Sequence, residues 1–256
     1  ETIKRELEYI AKRVVKETTD AQAFRELIIS DDNFGMYKED IEIAKVIRDV
    51  IKKYNWPLTI YCSRGKSQPE RILEVSRIIN QYNDGTLRLS ASLQSHDTQV
   101  LKNIKRKNLP LEKLVTYTKS RKTNDGTNDF FAELILGLPG ETTEKHYNSL
   151  RYAIDTLEAS RIDIHHLYLV HGAEMNDPET IKKYNMDIRY RVFVGAYGVY
   201  NIGDKKVPCT EINNVVVGNS TLSFDEFIEC RIMNLLVKIF IDHDPFREVI
   251  GFVRKL

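Results

Sequence analysis

The stretch that decides the fold is Phe131-Ala132-Glu133-Leu134-Ile135-Leu136-Gly137-Leu138-Pro139-Gly140-Glu141-Thr142. Its first half is an apolar run with a single acid, which is typical of a buried strand. Two glycines then allow a sharp turn, and the proline between them ends the strand because it has no N–H to donate. Thr142 or Thr143 can cap the helix that follows. The stretch predicts a strand, a glycine-rich turn and a helix. Such a turn exposes N–H groups to a ligand, although an ordinary tight loop explains it equally well.

Length and composition limit the possible classes of protein. With 256 residues, 42% hydrophobic and 29% charged, the chain can form one α/β barrel-like domain, or a domain with an extension. The net charge of +1 argues against a general polyanion binder, so no nucleic-acid partner is expected. No apolar run reaches the ~18 residues of a membrane span, so no membrane association is expected.

The cysteines indicate the redox compartment. Cys62, Cys209 and Cys230 are far apart and odd in number, which favours a reducing compartment and a cytoplasmic location over a disulfide framework. No pair has the C-x-x-C spacing of a cysteine metal site.

Strands and helices alternate along residues 1–172. The apolar patterns predict strands at 24–30, 58–62, 86–93, 130–136 and 162–170, with helices between them, including one at 110–122. This alternation predicts a parallel sheet with right-handed crossovers. Ligands of such sheets bind beyond the carboxyl ends of the strands, so we expect the polar strand ends to meet at one rim.

The two ends of the chain depart from a regular barrel. A parallel barrel normally begins with a strand, whereas residues 1–19 predict a helix, so we expect a first strand upstream of residue 1; a helix-first α/β fold is the alternative. Residues 177–200 predict a helix interrupted by Gly195 and Gly198, and residues 205–221 a β segment, after which Ser223 can cap a last long helix. We therefore expect a barrel domain at 1–199 and a C-terminal extension at 200–256.

Three motifs in this order resemble those of radical S-adenosylmethionine enzymes, and the subgroup with an upstream cobalamin-binding domain is the most similar. The motifs are Ser30-Asp31-Asp32-Asn33-Phe34-Gly35, Ser92-Leu93-Gln94-Ser95 and the stretch from Glu133 to Thr142. The resemblance covers about residues 1–172. It implies an α/β fold, a partial parallel (β/α) barrel with its first strand absent, and a mixed C-terminal extension.

The resemblance also implies the cofactors and the reaction. They are S-adenosylmethionine, a [4Fe–4S] cluster and, in an upstream domain, cobalamin. The family holds its cluster by a C-x3-C-x2-C motif that this sequence lacks, so the ligands are expected upstream of this chain, unless the lineage lost the cluster. A reducing partner such as flavodoxin or ferredoxin would supply the electron that yields a 5′-deoxyadenosyl radical, and this radical would act on a small-molecule substrate. Alternatively, the enzyme would transfer a methyl group to the substrate.

The resemblance assigns ten candidate cofactor-binding residues: Asp31, Asp32, Asn33, Arg64, Ser92, Gln94, Ser95, Gly137, Leu138 and Gly140. The acids at 31–33 suit the methionine ammonium group, but equally a turn that caps the next helix. Arg64 can pair with the methionine carboxylate or be a solvated loop residue. Ser92 and Gln94 would meet the ribose and methionine end, while Ser95 could merely begin the next helix. Residues 136–138 would line the adenine.

Two titratable residues are candidates for catalysis. Glu133 is a lone acid in an apolar strand, so it either faces the barrel interior and meets substrate or is a paired structural acid. His171 ends the fifth predicted strand at the rim. His165 and His166 point to opposite sides of that strand, which favours packing over a shared metal.

Several alternatives remain open at this point. A cluster-free binding module could keep the barrel, and a barrel enzyme of unrelated chemistry could use Glu133 and His171 as acid and base. A set of aromatic residues is predicted to lie in the core or at an interface, namely Tyr184, Tyr190, Phe193, Tyr197 and Tyr200.

Overall fold

The chain folds as two compact units in a computed structural model that describes residues 1–17, 25–64, 68–88, 90–106, 108, 130–242 and 245–253. The first unit comprises Glu1–Ala91 and Leu109–Phe131, and the second comprises Ser92–Asn108 and Ala132–Leu256. The predicted helix at 110–122 lies outside the described residues.

The first unit is a parallel strand pair with three helices. Its elements are α1 (Thr2–Glu17), β1 (Glu26–Phe34), α2 (Glu39–Tyr54), β2 (Thr59–Arg64) and α3 (Pro69–Ile79). The register aligns Glu26 with Thr59 and Ile29 with Cys62. The helices bury their apolar faces in one core with the strands, which includes Leu7, Ala11, Ile47, Val50, Ile60, Val75 and Ile79. The helical and strand periodicities of this half of the sequence are thereby confirmed.

The polar segment after Ser30 continues the strand, which corrects the expectation that the strand ends there. β1 runs to Phe34, with an irregular register between Ile29 and Phe34. The chain then turns at Gly35, which has a φ of 90°. The buried carboxylate of Asp40 accepts hydrogen bonds from the N–H groups of Gly35 and Tyr37, both at 2.9 Å. Asp40 therefore fixes the passage from β1 into α2.

The second unit is built on a three-stranded sheet of order β3-β4-β5, with β4 at its centre. These strands span Ser90–Gln94, Phe131–Leu136 and Arg161–His166. The described residues between these strands form α4 (Thr98–Asn103) and α5 (Thr143–Arg151), the latter extended by a π-helical turn, Tyr152–Thr156. Asp97 caps α4, since it accepts from the N–H of Val100 at 2.8 Å, and Thr142, one of the two predicted caps, accepts from that of Lys145 at 3.3 Å.

A long antiparallel hairpin follows, which corrects the prediction of a helix over 177–200. A short helix, α6 (Pro178–Tyr184), ends at Asn185, and β6 (Asp187–Ile202) then pairs with β7 (Lys205–Gly218). The prediction failed because β-branched and aromatic residues dominate this segment and favour a strand over a helix. The predicted β segment at 205–221 is confirmed.

The base of the hairpin is joined to the sheet. The N–H of Leu167 donates to the carbonyl of Leu136, and the N–H of Val216 donates to that of Leu167, each at 2.9 Å. Farther along, β6 leaves its aromatic residues exposed, so Tyr190, Phe193, Tyr197 and Tyr200 are not core residues. β6 also runs through residue 199, where a domain boundary was expected; that boundary stays a prediction.

The last long helix, α7 (Phe224–Phe240), begins at a capping box, which confirms Ser223 as its cap. It buries Phe227 and Cys230 against Leu136, Val215 and Val217. A short helix, α8 (Arg247–Val253), ends the described chain. Within the described ranges, no helix combines the length and apolar character needed to cross a bilayer.

The packing of α7 makes a prediction about thiol reactivity. Cys230 is fully buried, and burial raises the pKa of its thiol to about 11, whereas Cys209 is exposed. At about pH 8 we expect iodoacetamide to modify Cys209 well before Cys230, because the thiolate is the reactive form. Mass spectrometry of the native protein checks this, and guanidinium chloride should abolish the difference. Equal labelling of the two cysteines in the native state would contradict the burial of α7.

Candidate functional site

The glycine-rich turn after β4 is organised by the side chain of Glu141, which is 1% exposed. Its Oε2 accepts hydrogen bonds from the N–H groups of Gly137 at 2.7 Å and Leu138 at 3.2 Å. The N–H of Glu141 itself donates to the carbonyl of Leu138 at 3.0 Å. The turn thus binds an acid of its own sequence with the N–H groups that the sequence predicted to face a ligand.

The other oxygen of this carboxylate meets a buried histidine. Glu141 Oε1 lies 3.1 Å from His146 Nδ1, and His146 Nε2 lies 2.8 Å from Asn234 Oδ1. A protonated ring donates at both nitrogens, whereas a neutral ring that donates to Glu141 needs the Asn234 amide turned to present its NH2 group. In either form a continuous polar chain links the turn to α5 and α7.

The carbonyl groups of the turn are also occupied by side chains of the protein. Asn219 Nδ2 donates to two of them at 3.1 and 3.2 Å, and the Thr221 hydroxyl to a third at 2.6 Å. The full set of donors and acceptors is Asn219 to Gly137 and Leu138, Asn103 to Pro139, Lys145 to Gly140, and Thr221 to Glu141. The turn is therefore held in one shape from several directions.

Both glycines of the turn are required by packing. Gly137 has a φ of 96°, and a Cβ at this position would lie 3.1 Å from the carbonyl oxygen of Val216. Gly140 has a φ of 84°, and a Cβ there would collide with the amide nitrogen of Asn103. Positive φ and close approach each favour glycine, so the internal packing accounts for the glycine spacing.

Gln94 occupies a strained turn at the end of β3. Its φ is 60°, and the N–H of Ser95 donates to the carbonyl of Leu93 at 2.7 Å, which closes a γ-turn around Gln94. A non-glycine residue in this region is uncommon, and such strain concentrates at functional sites. Ser95 is buried, and its hydroxyl accepts from the N–H of Asp97 at 3.2 Å. Ser95 thus shapes the entry into α4, as its alternative interpretation predicted.

The structure brings the turns after β3 and β4 together, as the convergence of strand ends predicted. Lys145 Nζ lies 3.0 Å from the carbonyl of Gly140 and 3.3 Å from the carboxylate of Asp97. The N–H of His96 donates to the hydroxyl of Ser149 at 3.0 Å. Gln94 and the glycine-rich turn are therefore parts of one braced assembly in the second unit.

The remaining candidate cofactor-binding residues either belong to the first unit or have side chains outside the described part of the structure. The carboxylate of Asp31 accepts from the N–H of Asn33 at 2.8 Å within β1, and α2 begins only after Lys38, so the alternative of a cap for the next helix is wrong. The side chains of Asp32, Arg64 and Ser92 lie outside the described part of the structure. A common rim of residues from both units stays a prediction.

The two catalytic candidates lie in different surroundings. Glu133 is on the less buried face of β4, opposite the buried Ala132 and Leu134, and its charge acts on Arg106. Burial lowers the pKa of the Arg106 guanidinium, and Glu133 opposes this effect. His171 is exposed in a turn, because β5 ends at His166 and not at residue 170. The side chain of Glu133 therefore has a cationic neighbour, as a paired acid would.

The described residues do not bring the cysteine ligands of an iron–sulfur cluster together. Among the described residues, no group of three His, Cys, Asp or Glu side chains could hold a metal ion. Cys62 belongs to the first unit, and burial keeps Cys230 as a thiol by raising its pKa to about 11. A [4Fe–4S] cluster needs thiolates that converge, so the three cysteines do not fit it.

The polar bracing of the turn was not predicted from the sequence. Glu141 was part of the quoted stretch, and its position four residues after Gly137 is the signal that could have identified it. The contacts of Asn234 with His146 and of Asn219 and Thr221 with the turn join residues 80 to 88 positions apart, so no local pattern could reveal them.

The fold and the braced turn define an α/β protein, and comparisons with known proteins identify its relatives. The chain is 26% identical over 234 residues to a 2-(S-pantetheinyl)-carbapenam-3-carboxylate methyltransferase of Streptantibioticus cattleyicolor. It is 27% identical over 189 residues to the cobalamin-dependent radical SAM methyltransferase TokK of Streptomyces tokunonensis. The predicted resemblance is confirmed: both relatives are methyltransferases, and one of them is a cobalamin-dependent radical SAM methyltransferase.

The extent of these matches is uneven. They cover 90% and 73% of this chain but only 31% and 26% of the two relatives, so the chain spans between a quarter and a third of their length. No family model matches the sequence. The archaeal Methanocaldococcus infernus Elp3 with an N-terminal deletion is a structural neighbour with a TM-score of 0.44 and 18% identity, over 62% of this chain and 40% of that one.

The buried contact between Glu141 and His146 leads to a prediction about the stability of the protein. His146→Ala leaves the carboxylate of Glu141 buried without its imidazole, which should lower the free energy of unfolding by about 3 kcal/mol. Urea denaturation followed by circular dichroism measures the change. As a control, His165→Ala removes an exposed ring and should stay within about 0.5 kcal/mol. Similar losses in both variants would show that the buried pair contributes nothing specific.

The glycine packing predicts a second stability difference. Gly137→Ala must accept a positive φ and push against the backbone of β7, for a combined cost of about 2–5 kcal/mol. Gly172→Ala is the matched control, since Gly172 has a φ of 81° but no atom within 4 Å of the added Cβ. It should cost only about 1–2 kcal/mol. Urea denaturation followed by circular dichroism measures both changes. An equal loss of stability in the two variants would show that the close approach of Gly137 to the backbone of Val216 has no effect.

Proposed function

We propose that this chain is the S-adenosylmethionine-binding core of a radical S-adenosylmethionine methyltransferase. The observation that carries the proposal is its relationship to such methyltransferases over most of its own length. The relatives are much longer, so a cobalamin-binding domain, the substrate contacts and a reducing partner would lie outside these residues. The two strand-ending turns of the second unit support a ligand site at that end of the sheet.

We infer that the described sheet is part of an incomplete (β/α) barrel. In this arrangement the less buried face of β4, which carries Glu133, lines the interior, while the buried alternate residues pack against helices. The alternating burial along β4 supports this orientation. Glu133 with Arg106 would then present a paired charge to the interior and not a free general base.

The residues of this chain would bind and orient S-adenosylmethionine. Gln94, half-buried at its strained turn, offers an amide that can both donate and accept a hydrogen bond to the ribose or methionine end. The braced turn at 137–141 supplies a preformed surface beside it, which reduces the conformational entropy lost on binding. Because the cysteines do not fit a cluster, its ligands would come from outside these 256 residues.

Two other functions remain as alternatives. A cluster-free module that binds S-adenosylmethionine is favoured by one observation, the separation of the three cysteines between units and environments. A barrel enzyme using Glu133 and His171 as acid and base has less support, because Glu133 has a cationic neighbour. This last alternative requires no affinity for S-adenosylmethionine.

Calorimetric titration with S-adenosylmethionine tests the proposal. Gln94→Ala should weaken binding by about 1.5–3 kcal/mol, roughly tenfold to a hundredfold, because a hydrogen bond to a strongly polar ligand is lost. Gln81→Ala, which changes an exposed glutamine of the first unit, should leave the affinity unchanged. No binding by the unmodified chain would overturn the proposed function, and unchanged affinity in a folded Gln94→Ala protein would remove Gln94 from the site.

A further inference from the structure

A cluster of aromatic and cationic side chains surrounds His166 at the end of β5, and none of its members is among the residues assigned to the cofactor. The ring centroid of His166 lies 6.2 Å from that of Tyr168 and 5.7 Å from that of Phe227. The hydroxyl of Tyr168 accepts a hydrogen bond from Arg191 Nη2 at 2.6 Å, and the Arg191 guanidinium carbon lies 5.4 Å from the centre of that ring. Tyr168 thus holds the arginine of β6 beside the histidine.

A second arginine approaches from the helix α7. Arg231 follows Phe227 by four residues, so the two side chains lie on neighbouring positions of one helix face, and Phe227 contacts His166. Arg191 on β6 and Arg231 on α7 both lie near enough to His166 for their charges to lower the pKa of its imidazole. Both arginines are exposed, which leaves their guanidinium groups accessible to a ligand.

The positive charge of this cluster is not neutralised. In the described part of the chain, neither Arg191 nor Arg231 forms an ion pair with a carboxylate, and Arg191 bonds only to the hydroxyl of Tyr168. Other arginines of the same unit do have acids: Arg189 lies 3.3 Å from Asp187, and Arg161 lies 2.8 Å from Asp163. Uncompensated guanidinium groups of this kind attract planar or tetrahedral oxyanions.

The pKa of His166 is affected by the same local positive charge. Burial, followed by the charges of Arg231, Arg191 and His165, lowers the pKa of His166 to about 4. Among the described residues, the charges that act on His166 are those of Arg231 on α7, Arg191 on β6 and His165 on β5, and none of them is acidic. At neutral pH His166 is therefore uncharged, and the two guanidinium groups dominate the local field.

We propose that Arg191 and Arg231, with His166 and the hydroxyl of Tyr168 beside them, form a binding site for an oxyanion, a phosphate or a carboxylate group of a ligand. The guanidinium groups supply fork-shaped pairs of donors, and His166 becomes a further donor when it is protonated. This site goes beyond the proposed binding of S-adenosylmethionine and does not depend on it. An anion held there favours the imidazolium form of His166, so binding and protonation are linked.

Nuclear magnetic resonance of the histidine rings tests the site. Inorganic phosphate, added to the full chain at constant ionic strength set with sodium chloride, should raise the pKa of His166 by about one. The His166 signal is identified by its loss in His166→Gln. A second titration uses acetate in place of phosphate. A rise in the pKa of His166 with phosphate alone would show that the site binds phosphate groups, and a rise with acetate as well would show that it also binds carboxylate groups.

Matched variants test whether Arg191 and Arg231 bind the phosphate. Arg191→Gln and Arg231→Gln should each reduce the phosphate response at least severalfold, and should raise the pKa of His166 without phosphate because a nearby positive charge is removed. Arg189→Gln is the control, since Arg189 already pairs with Asp187, and it should leave the response intact. Arg231→Gln keeps the test valid if the loss of the Arg191–Tyr168 contact unfolds the hairpin. A response absent from the unmodified chain, or undiminished in Arg231→Gln, would overturn the proposal.

Discussion

The burial of the Glu141 carboxylate is the constraint on which the second unit depends. An acid that is removed from water must have its oxygens satisfied by donors, since an uncompensated buried charge is strongly destabilising. Glu141 meets this requirement with two N–H groups of its own turn and one ring nitrogen of His146. The chain can satisfy this acid only by folding the residues after β4 into a tight turn, so the acid and the shape of the turn determine each other.

The residues after position 200 take part directly in this arrangement. Asn219 and Thr221 bind carbonyl groups of the turn, Asn234 completes the hydrogen bonds of His146, and the backbone of Val216 lies where a side chain on Gly137 would be. Formation of the turn is therefore coupled to the docking of the hairpin base and of α7. The C-terminal segment is part of the core of this unit, and its removal would expose the polar groups that hold the turn.

Local signals in the sequence predicted the elements well, and nonlocal contacts account for most of what they missed. Thr142, as one of two candidates, and Ser223 were predicted as helix caps because a cap acts on an N–H only two or three residues away. The helix predicted over 177–200 was wrong because apolar residues are dense there without a clear period of 3.6 residues, and the hairpin partner lies in β7. The ends of β3 and β4 lie together as the alternation predicted, but the acid that braces the turn after β4 was only part of a motif in the sequence.

The bracing also decides how the turn can contribute to ligand binding. The N–H groups of Gly137, Leu138 and Glu141 are bonded within the turn, and proline has none, so the N–H of Gly140 is the one donor of residues 137–141 that lacks a partner among the described residues. A ligand at this end of the sheet would find a rigid surface with few donors, whose shape is already fixed. In the proposed site, discrimination between polar ligands would then fall to side chains at the neighbouring strand end, where Gln94 has a strained backbone. The turn after β4 would supply shape and preorganisation, and the turn after β3 would supply hydrogen-bonding specificity.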